Sequence, residues 1–72
     1  MVNVTRLREA MKQRSISPES AAKEIGMDVS TFYRRLERQG STFTVEEVEK
    51  LSGLLGLNPW TLQEIFFDRQ LA

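Results

Sequence analysis

Hydroxyl and guanidinium groups crowd one short stretch of the chain: Ser30, Thr31, Tyr33, Arg34, Arg35 and Arg38. Such groups give and take hydrogen bonds and carry positive charge. They suit the holding of a polar or anionic surface, not the breaking of bonds. In isolation the arginines read first as a solvated helix face with Glu37 as partner. Nothing elsewhere supplies bond-making chemistry. The 72 residues include no cysteine and no histidine. That removes the thiolate nucleophile, the commonest general base and the commonest zinc ligands. Glu46, Glu47 and Glu49 lie together at a helix start and read as capping and dipole residues. With no nucleophile–base pair and no metal-ligand cluster, the expectation is a non-enzyme that uses no cofactor and no metal.

Formal net charge is zero, which runs against an anionic partner, since phosphate binding normally shows as an excess of Lys and Arg. The distribution is uneven, however. Residues 1–43 hold eight Lys and Arg against five Asp and Glu, a net +3, and residues 44–72 hold two against five, a net −3. The chain is bipolar, and its positive half is able to face a polyanion.

Apolar residues make up 40% of the chain and charged ones 28%, which favours a folded globule over disorder. The longest apolar runs are pairs such as Leu54-Leu55 and Phe66-Phe67, so no membrane span or signal peptide is expected and a cytoplasmic protein is the default. One all-α domain over residues 1–72 is predicted, a compact bundle of five short helices at about 4–14, 18–25, 29–38, 45–55 and 59–67.

Each helix has its own punctuation. Asn3 caps the first, whose Val4, Leu7 and Met11 share a face. Ser17 caps the second with Pro18 at its first position, and Ala21, Ala22 and Ile25 face inward. Asp28 caps the third, with Phe32 and Leu36 inward, and Gln39-Gly40-Ser41 breaks it. The fourth opens on a T-x-x-E capping box, Thr44 to Glu47, with Phe43 and Val48 as hydrophobic staple, and continues inward through Leu51 and Leu55. Asn58-Pro59 starts the fifth, with Leu62, Ile65 and Phe66 inside. Gly26, able to adopt the left-handed conformation, stops the second helix, and Gly56 stops the fourth, with Leu57 placed for the hydrophobic contact that follows such a stop.

Only Gly26-Met27-Asp28 separates the second and third helices, so they cross steeply. A short helix, a three-residue turn led by glycine and another short helix form a helix-turn-helix unit. Ala22 permits close approach, Met27 fills the gap, and Phe32 and Leu36 anchor the third helix. The opposite face of that helix is then free to enter a groove.

The stretch SPESAAKEIGMDVSTFYRRLERQG resembles the Cro/phage-repressor (lambda-repressor-like) helix-turn-helix family of bacteria and their phages. The resemblance rests on Ala22 four residues before Gly26, on apolar Met27 after it, and on Ser30-Thr31 opening the next helix. It extends through the leading helix, the loop at Gly40 and the two trailing helices. Two positions depart from the family pattern. Pro18 stands where many members have a glutamine that clamps a phosphate, which leaves Ser17 or backbone amides for that contact. Arg35 stands where many have an apolar residue, with Leu36 packing one residue later.

The resemblance implies a sequence-specific DNA-binding transcriptional regulator, with helix 29–38 in the major groove of a two-fold operator in double-stranded DNA. Val29, Ser30, Tyr33 and Arg34 are the expected base contacts. Arg34 suits bidentate contact to guanine, Val29 a thymine methyl, and Ser30 any base. Ser17, Thr31, Arg35, Arg38, Ser41 and Thr42 are the expected contacts to the DNA backbone. The amides entering the fourth helix near Phe43 and Thr44 add an N-terminus that favours an anion. Trp60 lies off the inner face of the last helix. It either covers the core edge or joins a homodimer contact with Phe67 and Leu71. Self-association on DNA is expected, with no membrane and no small-molecule substrate as partner. The chain reads either as a whole Cro-like protein or as the DNA-binding domain of a longer repressor. Two other readings stay open: a protein-interaction module on the same scaffold, such as an anti-repressor or adaptor, and the DNA-binding half of a toxin–antitoxin pair.

Overall fold

In the computed structural model, which describes residues 2–37 and 43–67, the chain forms five α-helices: α1 (Val4–Gln13), α2 (Pro18–Glu24), α3 (Val29–Glu37), α4 (Val45–Leu55) and α5 (Pro59–Phe66). No strand occurs among the described residues. The caps explain the boundaries. The Asn3 side chain accepts from the Arg6 amide at 3.1 Å, Ser17 Oγ from the Ser20 amide at 3.1 Å, and Asn58 from the Thr61 amide at 2.8 Å. At α4 both halves of the capping box form: Glu47 N–H donates to Thr44 Oγ1 at 3.1 Å, and Thr44 N–H to the Glu47 carboxylate at 2.9 Å. Each such cap satisfies amides that the first helical turn leaves without partners.

The exits are equally local. Gly26 has φ +72°, its N–H bonds Lys23 O at 3.2 Å, and the Met27 N–H returns to Ala22 O at 2.8 Å. That pair of bonds is the Schellman arrangement, which needs a left-handed residue at the glycine. Gly56, φ +62°, ends α4 similarly, with Leu57 N–H on Ser52 O at 3.0 Å. Arg14, Ile25 and Phe67 are the residues that close α1, α2 and α5, each lying one position beyond its helix.

The core follows the 3.6-residue stripes. Leu7, Phe32, Leu51 and Ile65 are its largest fully buried side chains, joined by Val4, Met11, Ala21, Ala22, Ile25, Leu36, Val48, Leu55 and Phe66. Removing a side chain of this size from water contributes about 1.5–3 kcal/mol each. Ala21 and Ala22 have no exposed surface, so α3 packs directly on the α2 backbone. α1 packs on α5 and α2 on α4. The Asn3 amide bonds the Ile65 carbonyl at 2.5 Å, joining the two ends of the fold. Phe43 enters ahead of α4 and sets its ring edge-on between Phe32 at 6.2 Å and Phe66 at 5.7 Å. Aromatic pairs at such angles are favourable beyond their buried area.

Trp60 does not cover the core edge: it is 77% exposed. The phase of α5 explains the correction. Ile65 and Phe66 are its buried residues, while Trp60 in its first turn lies on the opposite face.

Candidate functional site

The candidate site is the outer surface of α3 and the elements that flank it. Phe32 and Leu36, four apart and fully or almost fully buried, fix the rotation of this helix. Arg34 stands two residues from each. At about 100° per residue this puts it on the far side of the axis, pointing away from the core. It is exposed, and its Nη2 donates to Thr31 Oγ1 at 3.3 Å. That bond draws the guanidinium back along the helix and leaves its other donors outward.

Ser30 and Val29 occupy the first turn, both exposed. The Ser30 hydroxyl donates to the Asp28 carboxylate. Its proton being committed there, the Ser30 oxygen presents lone pairs outward as an acceptor. The Asp28 carboxyl is held below the usual aspartate value, first by the Ser30 hydroxyl, then by the Thr31 and Ser30 amides and the Arg34 charge, against the pull of burial. Asp28 thus caps α3 and shapes two of the expected contacts.

The flanks of α3 are tied to their neighbours. On one side the hydroxyl of the half-buried Tyr33 interacts with the Glu19 carboxylate of α2. This interaction, then burial and the Glu19 charge, push the Tyr33 hydroxyl pKa up, while the nearby Arg8 charge pulls it down. The Glu19 carboxyl is lowered by its own backbone amide and by Tyr33. On the other side Arg35 Nη1 meets Glu47 Oε1 at 2.5 Å, and its guanidinium lies 5.2 Å from the centre of the Phe43 ring. Arg35 thus pairs with Glu47 on α4 and not with Glu37, the partner it would have on a solvated helix face.

Glu47 carries three bonds at once. Burial disfavours its charge, yet the Thr44 amide, the Arg35 guanidinium and the Thr44 hydroxyl outweigh burial and hold its carboxyl below the usual range. The α4 N-terminus therefore already holds a carboxylate of its own. The Thr44 amide, expected to favour an external anion, donates to Glu47.

Of the sites expected from sequence, Val29, Ser30, Thr31, Tyr33, Arg34 and Arg35 all lie on α3, with Val29, Ser30 and Arg34 exposed and Tyr33 and Arg35 half-buried and engaged. Ser17 is exposed and occupied as the α2 cap. Trp60, on the outer face of α5, and Phe67, one residue past its end, are both exposed. Arg38, Ser41, Thr42 and Leu71 lie outside the described residues. Sequence reasoning missed Glu19, Phe43 and Glu47 as supports for the α3 surface. The capping box signalled Glu47, but only in its local role.

Among the described residues no group of acidic side chains is arranged to hold a metal ion, and no helix is long and apolar enough to cross a membrane. A family model described as helix-turn-helix matches residues 7–59, a span that runs from the middle of α1 to the first residue of α5. No curated protein and no solved structure matches the chain.

Proposed function

The chain belongs to the Cro/repressor-type helix-turn-helix family of DNA-binding domains, and on that premise we propose that it is a sequence-specific transcriptional regulator of the phage-repressor kind. Helix α3 lies in the major groove of a two-fold operator. Arg34 reads a guanine with two parallel hydrogen bonds, Ser30 accepts from a base amino group, and Val29 packs on a thymine methyl. Tyr33 contributes through its ring edge or through the hydroxyl it shares with Glu19. Ser17 and Thr31 touch the phosphate backbone, with Arg38, Ser41 and Thr42 from the segment after α3. Arg35, half occupied by Glu47, adds charge from behind the reading surface.

The observation that carries this reading is the division of α3. Its apolar pair is sealed, Phe32 at 0% and Leu36 at 2% exposure, while the side opposite presents Arg34 and Ser30 to solvent. Two copies binding side by side supply the affinity that one half-site lacks. Trp60 and Phe67, exposed on a face separate from α3, suit that contact between copies, together with Leu71.

Selection from a randomised DNA library at moderate salt tests the proposal. Recovery of a motif with two-fold symmetry is the expected result. Retention without any enriched sequence, or no retention, refutes it. The zero net charge and the exposed aromatic pair favour one second reading, a protein-interaction module on the same scaffold. Under it, Arg34→Ala leaves DNA retention untouched.

A further inference from the structure

A groove of about 360 Å³ runs between α1 and the start of α2, lined by Arg8, Met11, Lys12, Ile16 and Pro18. Its floor is apolar: Met11 is buried, and Ile16 and Pro18 are half-buried. Its rim is basic. Arg8 and Lys12 stand one helical turn apart on α1 and both are exposed. No acidic side chain lines the groove. The ion pairs among the described residues use Arg6, Arg35 and Lys50, and neither rim residue takes part in one.

Like charges one turn apart repel slightly. Long basic side chains whose stems lie on apolar surface keep their heads free for an anion. The position of the groove fits one occupant in particular. Pro18 in the groove lining begins α2, the helix packed against α3, and the Arg8 charge acts on the Tyr33 hydroxyl of α3, so the groove adjoins the α3 surface. Pro18 itself has no N–H to offer a phosphate.

We propose that this groove is a phosphodiester-binding site, with Arg8 and Lys12 gripping one DNA strand beside the half-site read by α3 and Ile16 and Pro18 resting against the sugars. The site rests on the proposed reading of DNA by α3. It replaces with side-chain charge the donor that Pro18 lacks. It also adds to the positive half of a neutral chain two cations that form no ion pair among the described residues.

The test uses the full chain, an enriched operator duplex and a random duplex, over about 50 to 200 mM salt. Arg8→Gln and Lys12→Gln are each expected to weaken both duplexes alike. Each lowers the steepness of the salt dependence by about one, a change of roughly three- to fourfold across that range. The double variant lowers it by about two, and the sequence preference is unchanged. Arg6→Gln, on the α1 face paired with Glu64 at 2.8 Å, keeps the wild-type salt dependence. Thermal midpoints of the groove variants stay near wild type, since both side chains are exposed. If the wild type binds its operator and the double variant keeps the same affinity and salt dependence, the groove is not a phosphate site, although the DNA reading stands. A loss confined to one duplex sequence overturns the inference as well. If the wild type binds neither duplex, both readings fall.

Discussion

Arg35 and Glu47 meet at 2.5 Å across the gap between α3 and α4, with the Arg35 guanidinium also over the Phe43 ring. Arg35 adjoins Arg34 in sequence, so the pair holds in place the helix that carries the outward arginine. Both side chains are mostly buried, at 26% and 21% exposure, where removing one partner leaves the other charge poorly solvated. Arg35→Ala is expected to destabilise the fold by about 1–3 kcal/mol in denaturant unfolding. Glu47→Gln costs a similar amount because it also weakens the α4 cap. A double-mutant cycle should give a coupling above about 0.5 kcal/mol; additive losses would show that the two side chains act separately.

The same carboxylate predicts a pH response. Its native pKa lies below the ordinary glutamate value of 4.5. A depressed native pKa stabilises the folded state above the unfolded value and loses that contribution as pH falls through the native value. Stability should therefore be level above about pH 5 and decline below the ordinary glutamate range. Asp28 and Glu19, depressed in the same direction, add to the decline. In Glu47→Gln the acid limb should be shallower than in the wild type. Parallel curves for the two proteins would mean that Glu47 does not contribute.

Arg34 faces away from Phe32 and Leu36, and its replacement should leave the fold intact. Arg34→Ala is expected to cost about 1–3 kcal/mol on the cognate operator and to relax preference at one base pair per half-site. Arg34→Lys recovers little of this, because a point charge lacks the planar fork. Binding measured against single-base operator variants reads the effect directly. An equal loss on every variant would reassign Arg34 to the backbone.

Phe32 has no exposed surface, and its ring meets Phe43 edge-on. Phe32→Ala is expected to destabilise the domain by about 3–5 kcal/mol. In a chain this small that lowers the thermal midpoint by roughly 15 °C or more. Calorimetry or circular dichroism measures it. A drop of only a few degrees would mean that the core closes over the gap.

Trp60 is the only tryptophan, so its emission reports on the outer face of α5. It should be red-shifted in the free protein and shift to the blue when two copies meet on an operator. Trp60→Ser should change stability by no more than about 0.5 kcal/mol, as exposed positions do, while weakening binding to a two-fold site more than to a single half-site. Unchanged emission on the operator would place the contact between copies elsewhere.

The sequence made some of this legible and hid the rest for a physical reason. Helix caps and stops act within three or four residues, so Asn3, Ser17, Asn58 and the Thr44–Glu47 box were readable as they stand, as were the buried stripes of α1 and α3. Glu47 and Arg35 are twelve positions apart, and Tyr33 and Glu19 fourteen; no local pattern links them. Phe43 was readable as a staple, but its place between Phe32 and Phe66 depends on how α3 and α5 arrive around it. Arg14 is a similar case: its guanidinium lies where a Cβ on Gly56 would be, which no spacing rule predicts. Trp60 was open between two readings, and helical phase, fixed by Ile65 and Phe66, put it outside.

The separation of duties along α3 bears on how such a protein could acquire new targets. The residues that keep the helix seated and those that project from it are different residues, and the outermost of them, Arg34, contributes nothing to the interior. On the proposed reading of DNA by α3, substitution there changes the message without threatening the messenger. A lineage carrying this scaffold could therefore try successive operators one letter at a time, while each trial remained a foldable protein.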